Sequence, residues 1–155
     1  MTYVFDSGPF IHLFRYFYPQ RFRSLWEKFD AAIAAETIIS VSEAANELEG
    51  IGDRLSDWVK GNKQVFRRPE PSELQFVTDI FKVAHFQAMI RKKEQLEGKP
   101  VADPFVVAAA KIHGHCVVTT EKYRPNAAQI PNVCEHFNVE CTDLEGFMDK
   151  EDWTF

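Results

Sequence analysis

The sequence lacks an excess of positive charge. Across 155 residues, 18 Lys and Arg stand against 23 Asp and Glu, a formal net charge of −5. A protein that holds a polyanion by charge alone is normally basic, so bulk electrostatic binding of nucleic acid is excluded as the main mode of action. A metal-dependent nuclease is not excluded, because the carboxylates that hold the metal lower the net charge. Cysteine is scarce: Cys116, Cys134 and Cys141 make an odd count with no CxxC pair. That leaves no zinc-ligand spacing and no disulfide framework, and points to buried thiols in a reducing compartment. No basic stretch followed by an apolar core opens the chain, and no apolar run approaches the roughly 20 residues of a membrane span. The expectation is a cytoplasmic protein with no membrane association. Internal repeats, low-complexity tracts and a clear domain boundary are also missing, which predicts a single domain over residues 1–155. The five histidines show no metal spacing; His113 and His115 flank Gly114 and read as cap or surface residues.

What is present is an apolar fraction of 45% that includes 14 phenylalanines, enough for a substantial core in a chain of this length. Thr2–Phe5 reads as a short strand stopped by Asp6-Ser7-Gly8-Pro9, with a helix from Phe10 to Tyr16. From Arg21 to Ala34, Phe22, Leu25, Trp26 and Phe29 recur at i, i+3, i+4, i+7, the mark of a buried helical face. Thr37–Ser40 reads as a second strand; Ser40 and Glu43 fit a capping box for a helix to about Leu48. Asp53–Lys60 reads as a short helix and Gln64–Phe66 as a short strand. A long helix is expected from about Ser72 to Arg91 or beyond, then a charged connection over Lys93–Lys99. The apolar run Phe105–Lys111 is a compact helix, Cys116–Thr120 the clearest strand, Asn138–Cys141 a last strand, and Leu144 opens a terminal helix. Strands alternating with helices predict a three-layer α/β/α sandwich around a central, mainly parallel sheet, with residues from Arg67 to Lys99 as an insertion.

In such a sheet, ligands gather at the carboxyl ends of the strands. Asp6 follows the first strand, Asp103 opens the apolar helix, and Glu121 follows the Cys116 strand. Glu43 and Glu47 lie one turn apart on the helix after the second strand. Each acid has a plainer reading: Asp6 as a turn former, Asp103 as a helix cap before Pro104, Glu121 as a solvated loop acid. Together, at one sheet edge, they would repel unless a cation joined them. Oxygen-only ligands select Mg²⁺ or Mn²⁺.

These residues carry a resemblance. Tyr3-Val4-Phe5-Asp6-Ser7 resembles the opening of PIN-domain ribonucleases, where a hydrophobic strand delivers the first metal-binding aspartate. Ala102-Asp103-Pro104 followed by Phe105–Ala110 resembles their third acidic motif, and Glu47-Leu48 their second. Val117–Tyr123 resembles their fourth, with Glu121 where an Asp is usual. The resemblance spans the whole chain in order. It implies a PIN-like fold and a Mg²⁺- or Mn²⁺-dependent endoribonuclease, with Asp6, Glu47 and Asp103 as ligands. Glu121 would complete the site or orient the attacking water; Ser7 and Thr119 would support carboxylates. Glu43 and Glu47 both remain open as the second acid. The longer Glu121 leaves an inactive PIN-like protein- or RNA-binding module as the alternative. A phosphoacceptor domain is a third reading, disfavoured because Asp6 has no adjacent acid.

PIN-like proteins of this size are often toxins of toxin–antitoxin pairs and often dimerise, which implies RNA, an antitoxin protein and a second copy as partners. Basic residues cluster at Arg15, Arg21 and Arg23, at Lys60, Lys63, Arg67 and Arg68, and at Arg91, Lys92 and Lys93. Arg15 and Lys122 are the candidate RNA contacts, with Tyr16, Tyr18 and Tyr123 as stacking candidates. Exposed aromatics among Phe10, Phe14, Phe17 and Tyr18 would meet a partner; the other reading of these rings is a helix buried on two sides.

Overall fold

The computed structural model describes residues 1–50, 52–89 and 101–155. Five parallel strands, β1 (Tyr3–Phe5), β2 (Ile38–Val41), β3 (Phe66–Arg67), β4 (Cys116–Val118) and β5 (Cys141–Thr142), form one sheet in the order β3-β2-β1-β4-β5. Tyr3 and Val4 pair with Ile38 and Ile39, and Tyr3, Val4 and Phe5 pair with Cys116, Val117 and Val118. β1, β2 and β4 are buried along their whole length, as strands covered on both faces must be.

The helices are α1 (Ser7–Tyr16), α2 (Arg23–Ala34), α3 (Ser42–Glu49), α4 (Arg54–Gly61), α5 (Pro71–Phe81), α6 (Asp103–His113), α7 (Ile130–Phe137) and α8 (Leu144–Lys150). Alternation along β1 sends Tyr3 and Phe5 to one face and Val4 to the other. The ring of Phe5 meets Phe10 of α1 at 5.3 Å and Phe147 of α8 at 5.0 Å, so α1 and α8 cover one face. α2, α3 and α4 join them: Phe14 packs on Trp26 and Trp58, and α3 contacts both α1 and α4. α6 covers the other face against β1, β2 and β4, flanked by α5 and α7, whose Phe76 and Phe137 meet edge to face. The expected three-layer α/β/α architecture is present, with every strand pair parallel. Fully burying a phenylalanine contributes about 1.5–3 kcal/mol, and Phe5, Phe10, Phe29, Phe86 and Phe147 are all buried to this degree.

Several boundaries differ from expectation for local reasons. α1 begins at Ser7, not Phe10, so Gly8 and Pro9 lie in its first turn, where proline's missing N–H costs nothing. A Cβ at Gly8 would overlap Thr120 Oγ1, so a larger residue there needs that side chain to shift. The capping box at Ser40 and Glu43 does not form: Ser40 sits inside β2, and its hydroxyl donates to the Phe5 carbonyl at 2.6 Å. α5 is capped by Glu70, not Ser72; the Glu70 and Glu73 side chains each accept from the other's backbone N–H. It ends at Phe81, whose carbonyl accepts from the Gln87 side chain at 2.9 Å, and a 3₁₀ turn over Ala84–Gln87 follows. Arg91, Lys92 and the Lys93–Lys99 connection lie outside the described residues.

β4 stops at Val118, although the Thr119 N–H still donates to the Thr142 carbonyl at 3.0 Å. The last strand is Cys141–Thr142, not Asn138–Cys141, because Asn138 adopts the left-handed conformation that closes α7. Of the α2 face, Leu25 and Phe29 are buried, Trp26 is half-buried and Phe22 is exposed. Phe10 is fully buried and cannot meet a partner; Phe14 and Phe17 pack partly against the core, and Tyr16 and Tyr18 are exposed. Among the described residues, no helix is long and apolar enough to cross a membrane.

Candidate active site

β1 and β4 are neighbours in register, so the residues that follow them emerge side by side. Asp6 leaves β1 as the N-cap residue of α1, and its N–H donates to the Val118 carbonyl at 2.9 Å. Thr119 leaves β4 and reaches across: its hydroxyl donates to Asp6 Oδ2 at 3.1 Å and accepts from the Glu121 N–H at 3.1 Å. One buried hydroxyl thereby sets the position of one acid and the backbone of another. Asp103 arrives from a third direction, as the first residue of α6 and not as its cap.

Asp6, Asp103 and Glu121 each offer an oxygen, and the three oxygens lie within 4.8 Å of one another. Asp6 and Asp103 are 5% exposed, so this is a sheltered cluster and not a solvated acidic surface. Glu121 is half-buried; its Oε1 also accepts from the Ile130 N–H at 3.4 Å, at the start of α7. The extra methylene of a glutamate lets this side chain span from the β4 edge to α7 while keeping an oxygen at the cluster.

Glu47 does not share the 4.8 Å cluster, yet it braces two of its members. Its Oε2 accepts from Ser7 Oγ at 2.9 Å, next to Asp6, and its Oε1 accepts from the Ala102 N–H at 3.1 Å, next to Asp103. Ser7 is thus bonded to Glu47 and not directly to an aspartate. Glu43 faces elsewhere: it accepts from Ser42 Oγ at 3.2 Å and lines a separate cavity with Asn46, Lys63 and Arg68. Its Oε1 is buried without a hydrogen-bond partner among the described residues. Arg15 is not brought to the acids; it lies in the last turn of α1, about 12 Å along the helix from Ser7 at 1.5 Å per residue.

Beside Glu121 opens a cleft of about 480 Å³ lined by Thr119, Lys122, Tyr123, Cys134, Cys141 and Asp143. Lys122 and Tyr123 are exposed on its rim. α7 forms one wall, and nothing in the sequence reading anticipated it. Its signal was present: Ile130, Val133, Cys134 and Phe137 keep a helical period, and Pro131 is tolerated in a first turn. The cysteines are free thiols. The Cys134 thiol hydrogen-bonds to Cys141, which lowers the Cys141 pKa and raises that of Cys134, while burial pushes Cys116 up to about 12.

The donor set is all carboxylate. Ligand oxygens on an octahedral Mg²⁺ lie about 2.9 Å apart when adjacent and about 4.2 Å when opposite. The cluster has the donor chemistry such an ion takes, with its three oxygens already gathered within 4.8 Å.

The model of a family described as Domain of unknown function (DUF4411) matches residues 3–155. The chain belongs to this family. No curated protein matches the sequence of this DUF4411 member. Its structure is similar to a chain in the 2.2 Å structure of VapBC-1 from nontypeable Haemophilus influenzae, at 10% identity and a TM-score of 0.52, covering 92% of this chain and 98% of that one. A chain of VapBC2 from Rickettsia felis, bound to a DNA fragment from its promoter, aligns at 11% identity and a TM-score of 0.49, with the same coverage. The fold of the DUF4411 chain is PIN-like.

Proposed function

We propose that this protein is a Mg²⁺- or Mn²⁺-dependent endoribonuclease that acts as the toxin of a toxin–antitoxin pair. The observation that carries the reading is the convergence of Asp6, Asp103 and Glu121 within 4.8 Å at the carboxyl edge of a PIN-like sheet. When bound, a divalent ion there polarises a phosphoryl oxygen and lowers the pKa of a water. Asp6 and Asp103 supply direct ligands, and Glu121 completes the set or orients the attacking water. Thr119 holds Asp6 in place through its hydroxyl. Glu47 is the second acid of the pattern; it fixes the start of α6 and, through Ser7, the start of α1. Lys122 and Tyr123, on the rim of the adjacent cleft, are suited to a phosphate and an unstacked base of a single RNA strand. The similarity to a chain of a VapBC complex supports an antitoxin protein as partner, and exposed Tyr16 and Tyr18 offer apolar area for it or for a second copy.

The test is cleavage of a mixed RNA pool by the purified chain with Mg²⁺ or Mn²⁺, with EDTA, and with Asp6→Asn or Asp103→Asn. Metal-dependent cleavage lost in both variants is expected. Cleavage that survives both substitutions overturns the mechanism. RNA or protein binding without cleavage at any metal concentration supports the inactive binding module, for which the bond between Glu121 and the Ile130 N–H is the favouring observation.

A further inference from the structure

A second group of metal-ligating side chains lies at the opposite edge of the sheet. α6 opens at Asp103 and closes at His113, three residues before β4 begins, so His113 lies about 15 Å along the helix from the acid cluster at 1.5 Å per residue. There α5 starts, and its capping pair Glu70 and Glu73 meets the histidine. His113 Nε2 lies 3.5 Å from Glu70 Oε2 and 3.3 Å from Glu73 Oε2, and the three ligand atoms fall within 4.8 Å of one another.

Hydrogen bonding explains part of this arrangement: Glu73 Oε2 lies within hydrogen-bond distance of His113 Nε2 and also accepts from the Glu70 N–H at 3.1 Å. An imidazole nitrogen carries one N–H, which can point at one acceptor, and N–H···O bonds favour 2.7–3.2 Å. Here one nitrogen faces two carboxylate oxygens, and only the one on Glu73 is bonded, at a long 3.3 Å, while Glu70 Oε2 stands off at 3.5 Å. The Glu73 side chain is only 7% exposed and sits beside a second carboxylate, so a positive charge between the two is favoured. Distances of 3.3 and 3.5 Å also lie close to another geometry. With metal–ligand bonds of about 2.0–2.1 Å, neighbouring ligand atoms of a tetrahedral zinc site are about 3.3–3.4 Å apart.

We propose that Glu70, Glu73 and His113 form a second divalent-metal site, selective for Zn²⁺ over Mg²⁺. One imidazole and two carboxylates are a zinc donor set, whereas Mg²⁺ takes oxygen ligands. Three protein ligands leave a fourth position for water or for His115, whose ring stacks on His113 at 5.8 Å. Bound there, the ion ties the start of α5 to the end of α6, independently of the cluster at Asp6.

The test uses the full chain carrying Asp6→Asn and Asp103→Asn, so that the first cluster cannot take the ion. Titration with Zn²⁺ alone against a chromogenic chelator is expected to show one ion per chain, with Mg²⁺ in large excess failing to displace it. Adding His113→Ala or Glu73→Gln is expected to weaken Zn²⁺ binding at least about tenfold. Absence of Zn²⁺ binding in this background overturns the proposal, as does binding that neither substitution weakens. A measurement on the unmodified chain guards against misfolded variants: anomalous diffraction from Zn²⁺-soaked crystals should place a peak between His113, Glu70 and Glu73. A peak confined to Asp6 and Asp103, or to Cys134 and Cys141, overturns it.

Discussion

Replacing Glu47 separates the bracing role of this residue from its charge. Both of its oxygens are engaged, by Ser7 Oγ at 2.9 Å and by the Ala102 N–H at 3.1 Å. Glu47→Ala removes both bonds and leaves the Ala102 amide without its acceptor at the start of α6. Hydrogen bonds to charged groups are each worth about 1.5–3 kcal/mol. Glu47 is half-buried, so water takes over part of the loss. A net destabilisation of about 2 kcal/mol follows, which in a chain of this size lowers Tm by roughly 4–8 °C. Glu47→Gln behaves differently. Its amide oxygen can still accept from Ala102, and its NH₂ can donate to Ser7, whose hydroxyl turns to accept. Stability should fall by no more than about 1 kcal/mol, while metal-dependent RNA cleavage falls because a negative charge is lost beside the ligands. Thermal unfolding followed by circular dichroism at pH 7 reads the first effect, and a cleavage assay across Mn²⁺ concentrations reads the second. An alanine variant that melts within 1 °C of the parent (about 0.5 kcal/mol at most) would refute the bracing argument. So would a glutamine variant that loses as much stability as the alanine.

Thr119→Val removes the hydroxyl that bonds Asp6 and the Glu121 backbone; metal affinity by calorimetry should drop about 10- to 100-fold, and Thr119→Ser should retain it. Burial of Tyr3, with the hydrogen bond from its hydroxyl to Glu151 Oε2 at 2.9 Å, raises the phenol pKa. Its contribution to stability is therefore full below the ordinary phenol pKa near 10 and is lost as pH rises through the folded value; Tyr3→Phe should flatten this alkaline loss in urea titrations between about pH 9 and 11. In the native protein Cys141, with its lowered pKa, should be the first thiol modified by iodoacetamide near neutral pH, and Cys116 should stay unmodified until the chain unfolds; peptide mapping by mass spectrometry reads both.

The outline of the fold was legible because its strongest signals were local. β1, β4 and the α6 run are short, apolar and bounded, and the structure places all three in the core. Asp6, Asp103 and Glu121 were legible as a set because a parallel sheet aligns strand ends, and two of them follow neighbouring strands. Choosing between Glu43 and Glu47 was not possible from periodicity: they lie one turn apart on the same helix. Only the positions of Ser7 and Ala102, 40 and 55 residues away, distinguish them. The capping box at Ser40 failed for a similar reason, since a carbonyl on the adjacent strand, 35 residues distant, captured its hydroxyl. α7 escaped notice because a proline near its start reads as a breaker until its place in the first turn is known. His113 reads as a cap or surface residue and is exposed in the last turn of α6; its carboxylate neighbours, 40 and 43 residues earlier, open a different helix and leave no local signal.

Each of the three clustered acids also stands at the beginning of a helix. Asp6 precedes α1, Asp103 opens α6, and Glu121 accepts from the first N–H of α7. A helix start carries about half a positive charge and steadies a nearby anion by roughly 0.3–1 kcal/mol. The carboxylates are thus partly neutralised by the backbone that positions them. Assembly of the chain need not wait for an ion, and under the proposed function an ion could come and go without unfolding its cradle. A relative could discard the chemistry at this edge and keep the scaffold, so catalytic competence and structural integrity are free to evolve apart.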